Sequence, residues 1–211
     1  MRMVKSPWTL TEEMFLSEKE ADRLAAQLMK KRKAAKGKER HSLFTDEFIV
    51  TGLMHSGLRN SEFCNITIAD TILATKESSF HVTGTRQDRV VYVSTSLSRL
   101  VKSYAASCSK RFGSAQQDGQ PLVLNERGRR FDRTSLYRRV VRILKDFGLG
   151  DRASVQLLRH TYGYLAYKRS GGNLLFVQRQ LGHSHPMVTS VYAEFIDEDY
   201  AKLANTVSGS S

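Results

Sequence analysis

The chain has 211 residues, enough for one full domain with a proper core. Apolar residues make up 40% and charged residues 26%. That is the mix of an ordinary soluble globular protein, and no apolar run is long enough to span a bilayer. Lys and Arg number 33 against 21 Asp and Glu, a formal net charge of +12, which favours a polyanionic partner, nucleic acid before membrane. Charge alone leaves a merely basic protein as the other reading. The opening "MRMVKSPWTLTEEM" has no apolar core of a secretory signal. Cys64 and Cys108 form no metal or disulfide framework, so both read as idle thiols in a reducing cytoplasm.

In chain order, "LSEKEADRLAAQLMKKRKAA" predicts a helix. Ser17 caps it, Glu20 completes a capping box, and Leu24 and Leu28 repeat at i, i+4. The basic run Lys30 to Lys38, broken by Gly37, reads as a solvated helix end and loop. "SLFTDEFIVTGLMHSG" predicts a second helix ending near Gly57, and "RNSEFCNI" a short third. "SSFHVTGTRQDRVVYVS" alternates and is rich in β-branched and aromatic residues, so it reads as a β-hairpin with its turn near Gly84 to Asp88.

Helices then return. "TSLSRLVKSYAASCSKRF" is one. "DRTSLYRRVVRILKDFG" is another, with Leu136, Val140, Ile143, Leu144 and Phe147 as its apolar stripe and Arg138, Arg139, Arg142 and Lys145 on its other face. The turn "NERGRRF" before it adds Arg129 and Arg130. Arg129, Arg130, Arg138 and Arg139 are candidates to hold DNA backbone; a solvated face is the other reading. Leu158, Tyr162, Leu165 and Ala166 mark a helix that stops at Ser170-Gly171-Gly172. Leu174 to Leu181 is the next, closed by Gly182, and Pro186 opens a third with Tyr192 near its end. "DEDYAKLANTV" reads as a last short helix and Ser208 to Ser211 as a disordered tail. The fold class expected is mainly α with a small antiparallel β-hairpin or sheet (α+β).

"TGLMHSGLRNSEF", "LLRHT", "VQRQLGH" and "TSVY" together resemble the boxes of the tyrosine site-specific recombinases, the phage-integrase/Xer/Cre family. The likeness runs from about Leu16 to Tyr200. Each box alone is weak; several in order, on a basic chain with this helix-hairpin-helix layout, are a strong signal. The spacing from His183 to Tyr192 fits the family, and that from Arg159 to His183 is about one residue long, the extra residue falling in the Ser170–Asn173 loop.

The resemblance implies a tyrosine hydroxyl that attacks a DNA phosphodiester, forms a 3′-phosphotyrosyl link and releases a 5′-hydroxyl. No metal or nucleotide cofactor is implied, because the ester stores the bond energy. The roles fall on Arg59 and Arg159, whose planar guanidiniums suit an anionic transition state, on His183 as a neighbouring donor, and on Tyr192 as nucleophile. Taken singly, Arg59 would read as a surface charge, Arg159 as a structural ion-pair partner, His183 as a helix-end residue and Tyr192 as a half-buried core tyrosine. Their joint spacing favours the site. His160 reads as structural.

Two positions depart from the family pattern. Its second box reads His-x-x-Arg, and here Gln156 precedes Arg159; a glutamine bonds a phosphate oxygen but exchanges no proton at neutral pH. The family's hairpin-turn lysine, its general acid, is also missing from "GTRQDR". Arg86 there is a candidate for the minor groove but a poor proton donor. Lys76 is a substitute only if the hairpin lies elsewhere.

The expected organisation is one catalytic domain over 1–211: an arm at 1–16, a core at 17–196, and a C-terminal helix and tail at 197–211, with no separate N-terminal core-binding domain. The expected partners are double-stranded DNA and further copies of the chain, four on two DNA sites, with room for an accessory DNA-bending protein and no membrane. Phe195, Ile196, Tyr200 and Leu203 either dock on a neighbouring protomer or pack on their own domain. The implied function is site-specific recombination or integration of the kind carried by mobile elements. The alternatives are a catalytically impaired DNA-binding relative and a type IB topoisomerase-like nicking-closing enzyme.

Overall fold

The computed structural model describes residues 9–74, 76–84, 88–113 and 119–196. Helices α1 (Glu18–Ala34), α2 (Gly37–Ser56) and α3 (Asn60–Asn65) come first. A sheet of β1 (Thr71–Leu73), β2 (Ser78–Val82) and β3 (Arg89–Val93) follows. Then come α4 (Thr95–Phe112), α5 (Arg133–Asp146), α6 (Val155–Arg169), α7 (Leu174–Leu181) and the single turn α8 (Met187–Ser190). This is the mainly helical α+β class expected. Among the described residues, no helix is long and apolar enough to cross a membrane.

Local signals set most boundaries. The Ser17 hydroxyl accepts from the Glu20 N–H at 3.3 Å, and Glu20 Oε2 accepts from the Ser17 N–H at 2.8 Å, closing the capping box on α1. Gly57 ends α2 at φ 64°, a left-handed conformation that favours glycine.

α2 is the axis of the molecule. It packs on α1, α4, α5 and α6, so Phe44, Phe48, Ile49, Val50, Leu53 and Met54 are buried around its circumference rather than on one stripe. Carboxylates on such a helix must be paired. Asp46 accepts from Arg139 Nε at 2.5 Å, and Glu47 accepts from Arg32 Nε at 2.5 Å.

The sheet is antiparallel in the order β1-β2-β3, with Phe80 opposite Val91 on its buried face. β3 also lies against α7. A second, smaller core of Leu10, Phe15, Tyr162, Tyr167, Val177, Leu181, Val191 and Tyr192 sits beneath α6 and α7.

Three expectations change. The Lys30 to Lys38 run is the expected helix end, but its loop is only Ala35 and Lys36, because α2 already begins at Gly37. The hairpin gains a third strand, β1, too short to show alternation. Tyr192 lies past α8, at the start of a 3₁₀ turn over Ala193–Phe195. Arg86, the helix read in "DEDYAKLANTV" and the Ser208–Ser211 tail lie outside the described residues. Phe195 packs edge-on against Phe15, centroids 5.0 Å apart, and Ile196 joins the second core, so both sit on their own domain.

Candidate active site

Three helix ends meet to build the site. Past Gly57 the chain turns through buried Leu58 and places Arg59 just before α3. The Ser154 hydroxyl accepts from the Leu157 N–H at 3.0 Å and starts α6. Gln156, Arg159 and His160 then stand at i, i+3 and i+4, on one helix face. Gly182, at φ 63°, ends α7 and turns His183 toward that face.

Arg159 is the centre of this junction. It is 5% exposed. Its Nη1 donates to the Gly57 carbonyl at 2.5 Å and its Nη2 to the Leu181 carbonyl at 2.6 Å. These are terminal carbonyls of α2 and α7, groups a helix cannot satisfy by itself and which carry the negative end of its dipole. Burial, with Arg59 close by, lowers the Arg159 pKa to about 10; the guanidinium stays charged at neutral pH. Arg59 reaches the same ends, its Nη2 donating to the Gly182 carbonyl at 3.2 Å.

Glu62 balances part of this charge. Its side chain is fully buried. Burial would raise its pKa, but hydrogen bonds from Arg89 and from the Arg59 backbone hold it down at about 2. Oε1 accepts from Arg59 Nη1 and Arg89 Nη1, both at 2.8 Å; Oε2 accepts from Arg89 Nη2 at 2.9 Å. Arg89 Nε donates to the Gln180 carbonyl at 3.2 Å, tying β3 to α7. Three guanidiniums thus face one carboxylate, and the excess is positive.

An open cleft of about 790 Å³ lies over this excess charge. Arg59, Gln156, Arg159, His160 and His183 line it, as do Arg133 and Tyr137 of α5. His183 Nδ1 and Thr189 Oγ1 lie 2.9 Å apart, which fixes the ring. Burial, then Arg159 and Arg59, lower the His183 pKa to about 3, so it is neutral at physiological pH.

Tyr192 is not in the cleft but directly behind it. It is 1% exposed. Its ring rests on the α6 backbone at Gly163, where an added Cβ would stand 2.2 Å from Tyr192 Cζ. Its hydroxyl lies 3.0 Å from His160 Nδ1, and His160 lines the cleft. Burial raises the phenol pKa to about 12, against a lowering by Arg159.

The sequence-predicted residues therefore divide. Arg59, Gln156, Arg159 and His183 come together in the cleft, with Tyr192 one layer beneath. Arg129 and Arg138 are exposed. Arg130 donates to the carbonyls of Cys64 and Asn65, at 3.2 and 2.8 Å, which ties its guanidinium to α3. Arg139 is a correction: it is buried, paired with Asp46 and Glu126, so it is a core ion-pair residue rather than a DNA contact. Lys76 is exposed between β1 and β2 and does not line the cleft; the hairpin lies where its alternation puts it, so the condition on which Lys76 was a substitute is not met.

Arg89, Thr189 and the contact of His160 with Tyr192 were not anticipated. Arg89 carried one weak signal, a cation entering a strand whose neighbours alternate. The other two join residues through the fold and leave no local pattern.

A sequence profile of the Phage integrase family matches residues 14–198. Tyrosine recombinase XerC of Caldanaerobacter subterraneus subsp. tengcongensis is 28% identical over 162 residues, 76% of this chain and 44% of that protein. The chain spans about half the length of the curated relatives it matches. Among solved structures, XerA recombinase superposes with a TM-score of 0.67 at 25% identity, covering 100% of this chain and 67% of that one. XerH site-specific recombinase bound to difH substrate gives 0.71 at 20% identity, over 99% of this chain and 55% of that one, a likeness of fold. The profile spans nearly the whole chain, and the chain belongs to the phage integrase family, that of the tyrosine recombinases.

Proposed function

We propose that this chain is the catalytic domain of a site-specific recombinase that cuts and rejoins duplex DNA through a 3′-phosphotyrosyl intermediate. The observation that carries the reading is the cleft itself. It gathers Arg59, Gln156, Arg159 and His183 over an excess of positive charge, with a tyrosine hydroxyl behind its wall. A phosphodiester seated there meets the guanidinium of Arg59, whose side chain is 42% exposed, and the charge of Arg159 beneath. Their guanidinium groups face the negative charge that builds on the non-bridging oxygens. Gln156 and His183 supply neutral hydrogen bonds. Tyr192 is the nucleophile. Arg129 and Arg138 hold flanking backbone. Four copies act on two DNA sites.

The test is covalent capture. The protein and a Tyr192→Phe variant are mixed with a pool of nicked duplexes cut from the chain's own genomic neighbourhood, then denatured in SDS. A protein–DNA adduct present in the first and missing in the second supports the reading. Retained DNA binding with no adduct favours the non-catalytic relative. Relaxation of supercoiled plasmid without joining of two sites favours the topoisomerase-like alternative.

A further inference from the structure

The departure at Gln156 leaves a chemical gap, and α6 fills it one turn later. A phenol is a weak nucleophile until its proton leaves, and that proton needs an acceptor within hydrogen-bond reach. A side-chain amide accepts no proton at neutral pH. Lys76, exposed between β1 and β2, does not line the cleft. His183 Nδ1 is engaged by Thr189. His160 stands at i+4 from Gln156 on the same helix face, lines the same cleft, and has its Nδ1 3.0 Å from the Tyr192 hydroxyl.

We infer that His160 is the general base for Tyr192, its Nδ1 taking the phenolic proton as the tyrosine oxygen attacks phosphorus. The assignment rests on Tyr192 being the nucleophile of the recombination reaction proposed above. The neutral ring carries its hydrogen on Nε2, and the phenol donates to Nδ1. The new Oη–P bond forms as the P–O5′ bond breaks. The leaving 5′-oxygen keeps the bonding pair and takes a proton from water in the cleft, while His160, now an imidazolium, returns its extra proton to solvent. In rejoining, a 5′-hydroxyl attacks the phosphotyrosine and passes its proton to cleft water as the P–Oη bond breaks; the departing phenolate takes a proton from His160, reprotonated from solvent for this step, and the ring returns to its neutral form.

The surroundings suit this role. Gly163 allows the tyrosine ring to lie against α6, which brings its hydroxyl to the ring of His160. Among the described residues, the charged and titratable groups facing His160 include Arg159 on its own helix, His183 from the end of α7, and Tyr192 itself. Burial and Arg159 hold the free imidazole near pKa 4, so it stands neutral and able to accept. A phosphodiester bound at Arg59 and Arg159 adds negative charge beside it, which raises its proton affinity when the proton must move.

The decisive experiment measures the rate of covalent adduct formation on whichever nicked duplex the unaltered protein captures from the genomic pool. His160→Asn keeps a polar contact to the phenol but cannot take its proton; His160→Ala removes both. The expected loss is about 10²–10⁴-fold in both variants. Between pH 6 and 9 the unaltered rate stays flat, because its base is already deprotonated, whereas the variant rates rise about tenfold per pH unit as hydroxide replaces the base. Added imidazole restores part of the His160→Ala rate, and thermal melting of His160→Asn stays near that of the unaltered protein. Adducts formed at the unaltered rate, or faster, by both variants would overturn the assignment and make the contact a latch that holds Tyr192 back. A slow variant with a flat pH profile and no imidazole rescue would also overturn it, leaving a positioning role. If the unaltered protein itself formed no adduct with any duplex, the recombinase reading would fail, and this assignment with it.

Discussion

Glu62 and Arg89 are joined by two parallel hydrogen bonds, at 2.8 and 2.9 Å, between α3 and β3. The pair sits under the cleft, and the same carboxylate holds Arg59. It therefore sets the position of one cleft arginine and joins the sheet to the helical body.

Removing that carboxylate should damage stability before chemistry. Breaking a buried ion pair from one side leaves uncompensated charge, at a cost of roughly 3–5 kcal/mol. Glu62→Gln is expected to lose about that much at pH 7, seen as a lower melting temperature. The pH dependence has a definite sign. The Glu62 pKa is depressed, to about 2 from an ordinary 4.5, so its contribution is present above 4.5 and lost as pH falls toward 2. The melting difference between the two proteins should shrink across that window. A difference unchanged down to pH 2.5 would contradict this.

Gly163 tests how Tyr192 is seated. Alanine is the better helix former by about 1 kcal/mol. Here its Cβ would overlap the Tyr192 ring, at 2.2 Å from Cζ. Overpacking of this kind typically costs about 1–3 kcal/mol. Gly163→Ala should therefore melt lower than the parent and leave the Tyr192 ring more exposed to tyrosine-directed reagents. A higher melting temperature would show that the ring is not held there.

Two neighbouring arginines on α5 should behave oppositely. Arg139 is in the core with Asp46 and Glu126; Arg138 is exposed. Arg139→Ala should cost roughly 3–5 kcal/mol of stability. Arg138→Ala should melt like the parent. If Arg138 meets a phosphate, its loss should reduce the slope of log affinity against log salt by about 1. Thermal melts and DNA titrations at several salt concentrations separate the two.

Much of the fold was legible because its signals are local. Ser17 with Glu20, Gly57 and Gly182 each carry their own boundary chemistry, and the α7 limits follow from them. β1 was hidden because three residues cannot show a period. The start of α2 was hidden because Gly37 more often ends a helix, and Lys36 makes no side-chain cap. Arg139 lies at i+3 from Leu136 and i−4 from Ile143, on the apolar side, but its partner Asp46 is far away in sequence. The four cleft residues came from the family resemblance of their motifs, which says nothing of depth. That Tyr192 is buried on His160 follows from packing between α6 and the turn after α8, and sequence order does not encode it.

The most direct test remains the SDS-stable adduct on nicked duplexes from the genomic neighbourhood. The unaltered protein should become covalently attached to one defined duplex through Tyr192, as peptide mapping would locate, and Tyr192→Phe should give none. An adduct that survives in Tyr192→Phe, or intact DNA binding with no adduct in either protein, would contradict the assignment of Tyr192 as the nucleophile.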